Sequence, residues 1–180
     1  RLTESILYAH AGLFMLAAFA ERVSETVAVG RTVEGQWPEV ADQVEPHDVA
    51  VAHHVAYNVA DIVPFLRALT DRAVHGVVVE LPPLHPLTWM NPLWEQFWGL
   101  PRPDVPTADD FVAVLRDQEV RDLVVYRWTR EDPDVAPLDE RAALVTQRLC
   151  LPQDRVDDVR RAIADRPPHQ MRDVVTVTWA

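Results

Sequence analysis

The spacing of apolar side chains changes period several times along the chain, and each change marks an element. Over Leu13–Glu25, Leu16, Phe19 and Val23 recur at helical spacing while polar Glu21, Arg22, Ser24 and Glu25 gather toward the end, which predicts an amphipathic helix. Thr26–Val33 is rich in Val and Thr, as strands are, so a strand is expected with almost no linker before it. The apolar stretch Asp48–His53 predicts a second strand ending in the pair His53-His54. Val59–Ala73 then carries Ile62, Phe65, Leu66 and Leu69 on one face of a predicted helix. Gly76–Leu81 contains Val77, Val78 and Val79 in an unbroken β-branched run, the pattern of a strand buried on both faces. Strand, helix and strand within about 35 residues is the length of a parallel crossover unit.

Between Pro82 and Pro106 prolines and aromatics replace any regular period, so no single helix fits there, although Pro92–Trp98 predicts a short one. Thr107–Asp117 opens on an N-cap threonine followed by Asp109 and Asp110, and predicts a helix. Asp122–Trp128 is the next expected strand, Leu138–Cys150 and Asp154–Asp165 the next helices, and Val174–Trp179 an alternating strand that ends the sequence. At the other end, Leu2–Ala9 fits a short strand or a helix. This order of elements belongs to α/β chains with a doubly wound, mainly parallel sheet, in which ligands sit beyond the carboxyl ends of the strands. The residues at those ends are Glu34-Gly35-Gln36-Trp37, His53-His54 and the run from Leu81 to Asn91.

Composition narrows the partners. A length of 180 residues suits one domain with its own core. A net charge of −11 without any basic run argues against nucleic acid, and the longest apolar run, Ala11–Ala20, is too short to span a bilayer of roughly 20 residues' depth. The lone Cys150 cannot close an internal disulfide, which points to a reducing compartment and a cytoplasmic location; flanked by Leu149 and Leu151, it reads as a small core residue. His47, His53, His54 and His85 lack the spacing of a zinc motif, so no metal is expected.

Four strings stand in order at strand ends or helix starts: VEGQWPEVA, DVAVAHHVAYNVADIVPFLRAL, VVVELPPLHPLTWMNPLWEQFWGLPRP and PTADDFVAVL. With them the chain, from about Met15 onward, resembles the class I S-adenosylmethionine-dependent methyltransferases, in particular a bacterial group acting on small molecules. The resemblance implies one domain over residues 1–180, a three-layer Rossmann-like sheet with an antiparallel C-terminal edge strand, S-adenosylmethionine as cofactor, and methyl transfer to an oxygen, nitrogen or carbon of a small-molecule substrate. It implies that Glu34, Gly35, Gln36 and Trp37 cover the adenine, and that His53 and His54, with Val55, lie beside the sulfonium. Either histidine is then a candidate general base. Tyr57 and Asn58 would begin the following helix, and Asn58, His85, Trp89, Asn91 and Trp94 would line the substrate site. The aromatics Trp89, Trp94, Phe97 and Trp98 also fit a satellite core beneath a long loop.

The chain departs from that family at its start. The glycine-rich loop after the family's first strand is missing, since no G-x-G occurs, and His10 stands where an acidic residue normally bonds the ribose. Three readings of the gap stay open: a fragment, a diverged N-terminal segment, or a relic that no longer binds cofactor. The last leads to an alternative function, a noncatalytic methyltransferase-like protein serving protein–protein interaction. A homodimer is left open as well.

Overall fold

The computed structural model describes residues 5–10, 12–131, 136–166 and 171–180. The elements in chain order are β1 (Ser5–His10), α1 (Leu13–Ser24), β2 (Val29–Glu34), β3 (His47–His53), α2 (Ile62–Asp71), β4 (Ala73–Leu81), α3 (Asn91–Trp98), α4 (Ala108–Asp117), β5 (Val124–Glu131), α5 (Leu138–Arg148), α6 (Val156–Ile163) and β6 (Met171–Trp179). The strand, helix and strand expected around Val77 are β3, α2 and β4. The open question about the first residues resolves as a strand, β1.

Strands β4 and β6 start earlier than expected, at Ala73 and Met171, and β2 and α2 start later, where local hydrogen bonds claim the backbone first. The Thr26 hydroxyl donates to the Val23 carbonyl at 2.8 Å and accepts from the Ala28 N–H at 3.2 Å, so Thr26 closes the end of α1 and β2 begins only at Val29. Tyr57 and Asn58 do not begin a helix. They sit in a tight turn, Ala56–Asn58, in which the Asn58 N–H reaches the Val55 carbonyl at 2.9 Å, and α2 starts after Asp61.

The strands form a two-stranded sheet, β1-β2, and a four-stranded one in the order β3-β4-β6-β5. β1 and β2 run parallel with Leu7 opposite Arg31 and His10 opposite Glu34, so both end at one rim. Among the described residues, β1 and β3 therefore each keep one edge without a strand partner.

The chain divides into two compact units, one made of the residues up to Val79 with Val114–Val124 and Val177–Ala180, the other of Glu80–Ala113 and Val125–Thr176. In the first unit Val33, Val40 and Val44 form a small core against which Leu7, Ala9 and Trp37 pack, and α2 buries Phe65, Leu66 and Leu69. In the second, Met90 and Leu93 pack with Ala142, Val145, Leu149, Val159 and Ile163. Among the described residues the one polar side chain buried there, Thr146, donates to the Ala142 carbonyl at 2.7 Å, which offsets the cost of burying its hydroxyl. Cys150 does not join this core. It takes φ +54 just past α5, with its N–H on the Gln147 carbonyl and the Leu151 N–H on the Thr146 carbonyl, and this left-handed cap turns Cys150 outward while Leu149 and Leu151 stay buried.

Candidate functional site

In the first unit β1 and β2 end at one rim. β1 ends on His10, whose Nδ1 accepts the Gly12 N–H at 2.8 Å, and whose carbonyl accepts the Gly35 N–H at 3.2 Å. His10 thus fixes the turn into α1 and joins the two strand ends. Glu34 is the exposed last residue of β2. Gly35 has φ +148, and a Cβ there would lie 2.1 Å from Val40 Cγ1, so the bend that carries Gln36 and Trp37 requires glycine. The Trp37 ring packs on the Val33–Val40–Val44 core and its Nε1–H donates to the Phe65 carbonyl at 3.3 Å. That bond anchors the loop and orients the indole.

β3 ends on exposed His53, and the chain then bends sharply because His54 takes φ +55. That left-handed conformation is uncommon for a residue with a side chain and costs of order 1 kcal/mol, so the surrounding turn holds it. The two imidazoles meet edge to face with centroids 4.3 Å apart, and the Tyr57 ring lies 6.4 Å from His54. Burial raises the Tyr57 pKa, which keeps its hydroxyl protonated as a donor at neutral pH. Val55 and Asn58 flank this turn, Asn58 through the bond already described. The sequence-predicted group Glu34, Gly35, Gln36, Trp37, His53, His54, Val55 and Asn58 thus lies wholly within the first unit.

The second unit holds an open groove of about 560 Å³ in the proline-rich segment. Of the predicted substrate residues, His85, Trp89 and Asn91 line it. The Asn91 amide nitrogen, at the start of α3, donates to the Arg102 and Pro103 carbonyls and, at 2.7 Å, to Asp104 Oδ1, pinning the far wall to the helix. The Leu87 N–H donates to His85 Nδ1 at 3.1 Å, so the neutral ring carries its proton on Nε2. Burial first, and then the Arg102 guanidinium, hold the His85 pKa below the usual histidine range, and the ring is neutral at pH 7.

The four aromatics of this segment divide between two duties. Trp89 lines the groove and stays 39% exposed. Trp94 and Phe97 pack on the second unit's core, and the Trp98 Nε1–H donates to the Leu149 carbonyl at 2.7 Å. Trp94 is a platform: Arg102 lies over its ring at 5.1 Å. Arg102, Glu95 and Asp104, which sequence reasoning passed over, supply the groove's charges. The available signal was an arginine held between Pro101 and Pro103, after the left-handed Gly99 that ends α3.

No protein-family model and no curated protein sequence matches the chain. Solved structures do. A methyltransferase-designated protein from Bacillus halodurans superposes with a TM-score of 0.57 over 97% of this chain and 82% of its own, at 9% identity. A SAM-dependent methyltransferase from Archaeoglobus fulgidus gives 0.51 over 99% and 87%, at 12% identity. The precorrin 8W decarboxylase of Methanobacterium thermoautotrophicum gives 0.51 over 99% and 83%, at 10% identity. One fold therefore serves more than one chemistry among these proteins, and what they share with this chain is architecture. The chain has the α/β, Rossmann-like fold of these methyltransferases.

Proposed function

We propose that the protein transfers a methyl group from S-adenosylmethionine to a small-molecule acceptor. The observation that carries the reading is the coincidence of that fold with exposed polar residues, Glu34 and His53, that end β2 and β3. At the adenine end the residues fit the cofactor: Glu34 offers a carboxylate to an exocyclic amine, Gln36 an amide, and Trp37 an indole whose orientation is already fixed by Phe65. At the ribose end they fit less well, because His10 replaces a carboxylate and its Nδ1 is taken by Gly12.

Glu34, Gly35, Gln36, Trp37, His53 and Val55 would hold the cofactor, which supplies an electrophilic methyl on sulfur. The chain's own contribution is position and proton handling. A sulfonium methyl needs an aligned acceptor more than it needs activation, and His53, exposed at the strand end, can take the proton that an oxygen or nitrogen acceptor releases. The Leu84–Asp104 groove is the acceptor site in this reading, with Trp89 as its flat wall.

Calorimetric titration with S-adenosylhomocysteine tests the proposal. Saturable binding that Glu34→Ala weakens is expected. Binding of neither S-adenosylmethionine nor S-adenosylhomocysteine would remove the reading and leave the noncatalytic alternative.

A further inference from the structure

The charges of the Leu84–Asp104 groove do not cancel one another. The Arg102 guanidinium carbon lies over the Trp94 ring, 5.1 Å from its centroid, and Arg102 makes no ion pair among the described residues. The planar N–H fork of a guanidinium is the geometry that takes a carboxylate through two parallel bonds. Glu95, on the next turn of α3 after Asn91, lines the same groove and also makes no ion pair among the described residues. The two do not pair with each other although they share one cavity. Asp104 is different, because its Oδ1 is engaged by Asn91. His85 adds no positive charge, being neutral at pH 7. The groove therefore holds one cationic fork and two carboxylates, Glu95 and the Asp104 that Asn91 holds, beside an apolar wall that includes Trp89, Leu84 and Pro101. A purely anionic ligand would leave Glu95 opposed to it, and a purely cationic one would face Arg102. A ligand carrying both charges meets both groups.

On the reading of this groove as the acceptor site, we propose that its substrate class is an amino-carboxylate with an apolar, ring-bearing body: carboxylate on Arg102, ammonium on Glu95, ring against Trp89. The acceptor's polar head is then fixed at two points, which sets the direction in which its body lies.

The test is calorimetric titration of the protein with L-phenylalanine, with L-phenylalaninamide, which lacks the carboxylate, and with 3-phenylpropionate, which lacks the ammonium. L-phenylalanine is expected to bind about tenfold or more tightly than either, the equivalent of one charge-assisted contact. Arg102→Gln should erase the preference over the amide and keep the preference over phenylpropionate; Glu95→Gln should do the reverse. Equal binding of the three, no binding of L-phenylalanine, or preferences that neither variant moves would overturn the proposal. Titration with S-adenosylhomocysteine in the same preparation separates the two ideas. Cofactor binding without the amino-carboxylate preference sinks only this inference, and the preference without cofactor binding sinks only the methyltransferase reading.

Discussion

The turns that follow β2 and β3, with the rim they carry, and the groove along Leu84–Asp104 are built on opposite plans. The rim is set by backbone: Gly35 and His54 occupy positive-φ positions, and those bends aim the side chains that follow. In the groove, side chains hold the backbone. One amide, Asn91, gathers three acceptors, Trp94 carries Arg102, and Trp98 fastens α3 to the Leu149 carbonyl. Rim geometry should therefore be sensitive to substitutions that change allowed φ and ψ, and groove geometry to loss of side-chain atoms.

Several substitutions test that contrast, beginning with the largest effect. Leu93→Ala removes a fully buried side chain from beneath the helix that carries Asn91, Trp94 and Glu95, and should cost about 2–5 kcal/mol in urea unfolding. A cost under about 1 kcal/mol would show that the groove does not lean on that core. Gly35→Ala meets both a clash with Val40 and an unfavourable φ, and should cost of order 1–3 kcal/mol; loss of S-adenosylhomocysteine affinity in the folded variant would tie the bend to the proposed cofactor site. His54→Val should cost about 1–2 kcal/mol, because a β-branched residue resists the left-handed region, whereas His54→Asn should cost less. Equal costs would mean that the ring contacts, and not the backbone, hold the turn. Asn91→Ala should cost about 1 kcal/mol, and its clearer sign is faster exchange of the Arg102 and Asp104 amides.

The smallest effect is a titration. Because Arg102 is one of the two causes that lower the His85 pKa, Arg102→Gln should raise that pKa toward the ordinary value of 6.5, read from the ring's proton NMR shifts. The sign for stability follows. With its folded pKa depressed, His85 contributes stability that is present above pH 6.5 and lost as the pH falls through the folded value, and the variant should flatten this dependence. An unchanged pKa would place the guanidinium too far from the ring to define the groove's charge.

Much of this was legible in the sequence where a local rule governs. The run Val77–Val79 signals a strand whatever its neighbours, and α4 opens as its residues require: Thr107 Oγ1 accepts the Asp110 N–H at 3.1 Å while Asp110 Oδ2 accepts the Thr107 N–H at 2.8 Å. Cys150 was misread because helix α5 stops earlier than its apolar period suggests, and one left-handed residue reverses which side chain faces inward. The division into two sheets was beyond reading, since strand pairing is a property of residues far apart in the chain. The groove's charges were hidden for a related reason. Arg102 and Glu95 follow no period, and a charge in a proline-rich loop looks the same on paper whether it faces water or a cavity.

The unpaired edges of β1 and β3 have a bearing on how the protein must be handled. Such a margin is a template for any extended peptide, including another copy of the same chain, and electrostatic repulsion opposes like molecules zipping together. With a net charge of −11 that guard is strong near neutrality, and it vanishes as the solution approaches the isoelectric pH of about 4.9, where light scattering should rise with protein concentration.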